Sequence, residues 1–216
     1  MKWMEALSDL FFPVCCPGCG KKTEREEPWC RACLARFWHP RLLSHSAGGA
    51  LSGCYACCQY EDGIRRCLIR LKYGGRADYK TAFPPLLARF PWWERLAHCT
   101  PAVPVPLHRE RQAARGWNQT DLIFRDFLEK EGKIYRPELL VRIRRTRTQS
   151  RLDLPARRDN MRGVFHMQRG EDVRGAHILL LDDIYTTGAT MEEAAKELKR
   201  AGAASVTGMV IASGSP

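Results

Sequence analysis

No stretch of the 216-residue chain approaches the ~18 consecutive apolar residues that a membrane-spanning helix requires. The first residues, MKWMEALSDLFFPVCC, hold only a brief apolar patch broken by Glu5 and Asp9, which is not the pattern of a secretory leader. Trp3, Met4, Leu7, Leu10 and Phe11 fall at helical spacing, but without basic residues on the polar face that a membrane-surface helix needs. A short helix covering an apolar surface is expected there, ended by Pro13. Acidic residues are in deficit, 24 against 35 Lys plus Arg, for a formal net charge of +11. A surplus of that sign suits an anionic partner such as nucleic acid, polyphosphate or acidic lipid. Neither GxxxxGK[ST] nor GxGxxG occurs, which excludes the P-loop and dinucleotide-binding fingerprints. No disordered block is evident, and 44% apolar residues over this length can bury a core without disulfides.

Cysteine, by contrast, is abundant, with ten residues. In a chain with no leader, the expected compartment is the reducing cytoplasm, where CxxC pairs read as metal sites before disulfides. Cys16-Pro-Gly-Cys19 and Cys30-Arg-Ala-Cys33 are two such knuckles. A tight CxxC turn places two thiolates on one tetrahedral ion, and two turns complete a closed, structural Zn(Cys)4 site. By position, Cys15 is an alternative to Cys16. Cys54 and Cys57 share the spacing, but no partner pair follows. They are expected, with Cys58, Cys67 and Cys99, to be small buried hydrophobes.

Residues 44–53 are small and read as a linker. YACCQYED is a strand candidate, and GIRRCLIRLKYGG follows as a helix with Ile64, Cys67, Leu68 and Leu71 on one face, stopped at Gly74-Gly75. AVPVPLH (102–108) reads as a strand passing early into a rigid loop, because two prolines argue against an ordinary central strand. QTDLIFRDFLEKEG is a helix with Leu122, Ile123, Asp126 and Phe127 on one side. Residues 142–162 set eight arginines against two aspartates and read as a loop or excursion. The C-terminal third is a strand (HILLLDD), an amphipathic helix with Met191, Ala194, Ala195 and Leu198 inward, and a strand (SVTGMVIAS). A strand–helix–strand unit implies a parallel sheet with ligands at the carboxyl ends of its strands.

The stretch ILLLDDIYTTGAT, residues 178–190, then carries the chemistry. Asp182 and Asp183 stand where a buried strand leaves the sheet. Two adjacent carboxylates suit the vicinal hydroxyls of a ribose, or the waters of Mg2+. The turn that follows offers hydroxyls from Thr186, Thr187 and Thr190, backbone amides, a helix N-terminus, and Gly188 for close approach of an anion. Carboxylates for a sugar beside donors for a phosphate describe a ribose phosphate. The plainer alternative is that Asp183 or Thr187 only caps the helix.

This stretch resembles the phosphoribosyl pyrophosphate (PRPP) motif of type I phosphoribosyltransferases. More closely, VPVPLHRERQAARGWNQ, the T-x-x-Q-x-x-L stretch, R-x-x-N-M-R-G-V-F and CPGC…CRAC resemble the ComF family, associated with natural competence and DNA uptake. The resemblance implies a type I phosphoribosyltransferase-like α/β fold over residues 51–216, behind a helix and zinc module over residues 1–50. It places Asp182 and Asp183 on the ribose, as the residues on which any catalysis would centre. Thr186, Thr187, Gly188, Ala189 and Thr190 go to the 5′-phosphate. Pro106, Leu107, His108, Arg109, Arg111, Arg115 and Asn118 form the pyrophosphate loop, and Cys16 rather than Cys15 goes to zinc. Lys72 matches a family lysine without an assigned role. Arg144, Arg145, Arg147, Gln149, Arg151, Arg157, Arg158 and Asn160 belong to a loop that closes over PRPP in catalytic relatives, or else contacts DNA phosphates. The expected partners are PRPP with Mg2+, single-stranded DNA, and a DNA-uptake channel or helicase. The expected location is the cytoplasm, with any membrane association made through partners. Trp92, Trp93 and Trp117 are candidates for base stacking, though core packing is their commoner role. Two functions stay open: a DNA-uptake protein that binds single strands, and a phosphoribosyltransferase in which a nitrogen nucleophile displaces pyrophosphate. No base-recognition element is visible to name the acceptor.

Overall fold

The structure, a computed structural model, describes residues 14–43, 48–73, 77–146 and 159–214. The helix expected over residues 3–11, the Gly74-Gly75 stop, and Arg147, Gln149, Arg151, Arg157 and Arg158 lie outside them. In chain order the elements are α1 (Arg31–Phe37), β1 (Trp38–Leu43), β2 (Gly53–Gln59), α2 (Asp62–Tyr73), α3 (Pro84–Ala88), β3 (Ala102–Pro104), α4 (Arg109–Arg115), α5 (Gln119–Lys130), β4 (Leu140–Arg142), β5 (Phe165–Met167), β6 (His177–Tyr185), α6 (Ala189–Arg200) and β7 (Ser205–Ser213). Two 3-10 turns, Ala77–Ala82 and Trp93–Leu96, join them. No helix among the described residues is long and apolar enough to cross a membrane.

The five-stranded sheet has the order β1-β2-β7-β6-β3. β2, β7, β6 and β3 are mutually parallel, and β1 is antiparallel at one edge. β6 and β7 are buried on both faces, which is why their sequences run apolar without alternating. Parity still sorts them. Leu179, Leu181, Met209 and Ile211 face a core shared with Ile64, Leu68 and Leu71 of α2, Leu86 and Leu87 of α3, and Ile123, Phe124 and Leu128 of α5. Ile178, Leu180, Val206 and Val210 face the other core, with Met191, Ala194, Ala195 and Leu198 of α6. The expected parallel α/β architecture is thus present. Cys54, Cys57, Cys58, Cys67 and Cys99 are all fully buried among apolar neighbours, and burial pushes their thiols up.

Three features differ from the pattern reading. In α5 the buried stripe runs through Thr120, Ile123, Phe124 and Leu128, whereas Asp126 faces solvent and pairs with Lys80 at 3.2 Å. Asp126 lies at helical spacing from Ile123, but a carboxylate with no buried partner stays in water. Trp38–Leu43 forms a strand that the sequence pattern did not announce, because Pro40 and a register shift interrupt it. The basic stretch is flanked by a small antiparallel ribbon, β4 ending at Arg142 and β5 starting at Phe165, with β5 set over α6.

That ribbon is held by carboxylates of α6. Glu197, almost fully buried, accepts from the Met167 amide at 2.9 Å and from both Arg200 donors at 2.8 and 2.9 Å. Glu193 accepts from the Gly163 amide at 2.7 Å. Glu192 accepts from the amides of Ala50 (2.6 Å) and Leu51 (3.4 Å). Burial pushes the Glu197 carboxyl up, but the hydrogen bonds from Arg200 and Met167 outweigh it and hold the group below the ordinary 4.5. A depressed carboxyl stabilises the fold above its unfolded value, and that contribution is lost as pH falls through the folded value. Glu197→Ala is therefore expected to lower stability by about 1–3 kcal/mol in urea titrations near neutrality. The gap from the parent should shrink as pH drops below 4.5. A gap that does not change with pH would show that the carboxylate's charge is not what holds the ribbon.

Candidate functional site

β6 places the acidic pair by register. Pro104 of β3 pairs with Leu181, and the Val105 amide donates to the Leu181 carbonyl at 2.8 Å. β3 therefore departs into residues 106–109 where its pairing with β6 ends, whereas β6 continues beside β7 to Tyr185, so Asp182 and Asp183 lie within the strand, one step beyond β3, rather than at the point where it leaves the sheet. Asp183 is 5% exposed, and its Oδ2 is buried with no hydrogen-bond partner among the described residues. Asp182 is half-buried, and its Oδ1 accepts from the Asp183 amide at 2.8 Å. Burial and then the Asp183 carboxylate push the Asp182 carboxyl well above the usual range. The Lys72 ammonium pulls it back in part, which links the unassigned lysine electrostatically to Asp182.

The turn to α6 does not behave as an ordinary helix cap. The N-cap residue is Gly188, at φ 75°, and no side chain caps the helix. Asp183 and Thr187 are thus not spent on capping, and Thr187 Oγ1 is also buried without a partner among the described residues. Gly188 is needed for more than close approach of an anion. A Cβ there would run into the Tyr185 hydroxyl and ring, so the left-handed turn and the tyrosine both disfavour a side chain. Asp182, Ile184, Tyr185, Thr186, Gly188, Ala189, Thr190 and Met191 line a shallow pocket at this turn. Such a turn can donate to an anion at the helix start and accept from neutral hydroxyls at the acidic pair.

The residues after β3 divide. Pro106 and Leu107 lead to His108, the N-cap of α4, whose Nδ1 is buried without a partner among the described residues. Arg109 is exposed, whereas Arg111 is half-buried and donates to the Thr146 carbonyl at 3.0 Å. Arg115 donates to Gln119 Oε1, and Asn118 caps α5 while donating to the Val105 carbonyl at 3.1 Å. These two brace the loop against α5. Of the basic stretch, Arg145 pairs with Glu110 at 3.1 Å, and Arg144 donates to the Asn160 and Arg162 carbonyls at 3.4 and 2.8 Å. Trp92 and Trp93 pack against the core beside Phe90, and Trp117 donates to the Leu71 carbonyl at 3.4 Å.

Away from this edge, the ligand atoms of Cys16, Cys19, Cys30 and Cys33 all lie within 4.8 Å of one another, and Cys15 is not in the group. A tetrahedral ion with metal–sulfur bonds of about 2.3 Å needs sulfurs roughly 3.8 Å apart, so the four thiols fit a metal. The Cys19 and Cys30 sulfurs are 3.5 Å apart. A hydrogen bond from the Lys21 backbone, aided by the neighbouring thiols, pulls Cys19 down to about 7. Cys30 is the N-cap of α1 and accepts from the Cys33 amide. The first knuckle sits directly on α2. A Cβ on Gly18 would lie 2.9 Å from Cys33 Sγ and 3.1 Å from the Gly63 Cα. Arg66 donates twice to the Gly18 carbonyl (3.0 and 2.5 Å), and Arg70 donates to that of Pro17 at 3.4 Å. Trp29 and Phe37 enter the α2-side core, and Trp29 Nε1 donates to the Ala82 carbonyl at 2.7 Å.

Residues 139–215 match the model of the phosphoribosyl transferase domain. The chain is 30% identical over 197 residues to the DNA utilization protein YhgH of Salmonella typhi, covering 88% of this chain and 80% of that protein. It is 29% identical over 198 residues to Competence protein ComFC of Bacillus subtilis, 91% of this chain and 76% of the relative. Competence protein F of Haemophilus influenzae is 32% identical over 101 residues, 46% of this chain and 44% of that protein.

Metal analysis of the purified chain is expected to find one ion per molecule, and Cys30→Ser to lose it with a lower melting temperature. Full metal content in that variant would contradict the four-thiol site.

Proposed function

The chain belongs to the ComF family of phosphoribosyltransferase-like proteins, and from that premise we propose that it binds PRPP or a related ribose phosphate at the Asp182–Thr190 turn and serves in DNA uptake. The observation that carries this reading is the buried Asp183 Oδ2, without a hydrogen-bond partner among the described residues, close to a helix start that no side chain caps. A buried carboxylate oxygen without a donor is costly, and ribose hydroxyls would supply the donors. Asp182 and Asp183 then take the 2′- and 3′-hydroxyls. Thr186, Thr187, Gly188, Ala189 and Thr190 take the 5′-phosphate. Residues 106–109 with Arg111 take the pyrophosphate, and Arg115 and Asn118 hold that loop in place. Mg2+ would enter with PRPP and offset its charge. The thiol cluster holds zinc, in keeping with an all-sulfur, closed donor set.

Relatives named for competence and DNA utilization support a role with DNA. The arginines of residues 142–162 supply the charge that a single strand's backbone requires. We place this activity on the cytoplasmic side, next to a channel or helicase that delivers the strand. A second reading, transfer of the ribosyl group, is favoured because the acidic pair and Arg111 share one edge of the sheet. There the bond from the anomeric carbon to the pyrophosphate oxygen would break as a nitrogen–carbon bond forms. The nitrogen's proton would pass to solvent, and pyrophosphate would leave against Arg111.

Calorimetry with PRPP and Mg2+ tests the site. The parent chain should bind, and Asp182→Asn/Asp183→Asn should bind at least tenfold more weakly with its fold intact. Equal affinity would remove the reading. In parallel, single-stranded DNA affinity should fall steeply with salt, by a log–log slope of roughly −0.7 per contacted phosphate. A flat response would exclude backbone contacts by the arginines.

A further inference from the structure

Two guanidinium groups converge on one neutral residue at the edge of the proposed site. Arg142, at the end of β4, donates through Nη2 to Thr146 Oγ1, and Arg111 of α4 donates to the Thr146 carbonyl at 3.0 Å. Thr146 is 5% exposed. Arg142 also lies over the Phe165 ring at 5.7 Å, and its Nε is buried with no partner among the described residues. Neither arginine forms an ion pair with a carboxylate among the described residues. Burial and the like charge of Arg111 push Arg142 down to about 10, and the Asp182 carboxylate offsets part of that.

Holding two cations around a hydroxyl and a carbonyl is unfavourable unless an anion joins them at some stage. A planar guanidinium fork matches phosphate oxygens in pairs, and two forks facing one point match a diphosphate better than a single phosphate. Asp182 acts on Arg142 electrostatically, so an anion held here falls within the field of the acidic pair. We infer that Arg142 and Arg111 together form the diphosphate subsite, with the two Thr146 oxygens standing in for phosphate oxygens in the ligand-free chain. This deepens the PRPP reading and rests on it for the identity of the ligand. It also adds Arg142, which lies in the basic stretch but outside the residues the motifs single out.

The stand-in role sets a sign that plain packing does not. Thr146→Val keeps the shape of the side chain but removes the hydroxyl acceptor and so frees an Arg142 donor. Magnesium pyrophosphate should bind this variant three- to tenfold more tightly. Arg142→Gln should weaken pyrophosphate and PRPP alike by at least tenfold, and Arg142→Lys should restore only part, because an ammonium lacks the fork. Circular dichroism and urea midpoints establish that each variant is folded. Weaker pyrophosphate binding by Thr146→Val, or parent-like binding by folded Arg142→Gln, overturns the subsite. If PRPP binding depends on Asp182 and Asp183 but not on Arg142, the subsite fails and the ribose-phosphate reading stands. If pyrophosphate binding needs Arg142 while the parent chain ignores PRPP, the subsite stands and that reading fails.

Discussion

Parallel pairing of β6 with β3 on one side and β7 on the other is the constraint on which the rest of this structure depends. Ile178, Leu179, Leu180 and Leu181 fill both cores, so β6 has no solvent face toward which it could slip. A one-residue shift would exchange the two faces and drive a carboxylate into apolar surroundings. The register that avoids this sets Asp182 and Asp183 at the carboxyl edge. It also ends the pairing with β3 next to them, at Leu181, where the chain turns toward α4.

Around that edge, secondary contacts define orientation. Carboxylates of α6 hold the amides of Gly163 and, in β5, Met167, and β4 ends at Arg142, which bonds Thr146 beside Arg111 of α4. On the opposite face, the cysteine knuckle rests on α2 through Gly18, Arg66 and Arg70, and α2 carries Lys72 near Asp182. The four-cysteine module thus rests on the helix that carries Lys72. Lys72 from α2 and Arg142 from β4 both act electrostatically on Asp182, so cations from either side of the sheet offset the carboxylate within the central strand.

Much of this was legible in the sequence where burial and chemistry coincide. The apolar run into Asp182-Asp183, the helix facing Met191 to Leu198, and the four cysteines of CPGC and CRAC announce their places because each pattern has few alternative structures. Other features depended on partners distant in sequence. Asp126 fits the apolar spacing of α5, yet lies outside, where its carboxylate pairs with Lys80. Glu197 is not singled out by the apolar spacing of its helix, and its buried role comes from the Met167 amide and Arg200. The arginines of residues 142–162 were visible as charge, but nothing local separates Arg142, turned over Phe165, from Arg144 or Arg145 at the surface. The competing idea that Asp183 or Thr187 caps α6 was reasonable on spacing. The geometry removes it, since Gly188 starts the helix without a side-chain cap.

Hydrogen exchange across residues 182–190, followed with and without ribose 5-phosphate, puts the ribose-phosphate assignment to its most direct test. The account predicts slower exchange at the amides of residues 186–190 on adding the ligand, while the cysteine module stays unchanged. Unaltered exchange at those amides under saturating ribose 5-phosphate or PRPP would contradict it.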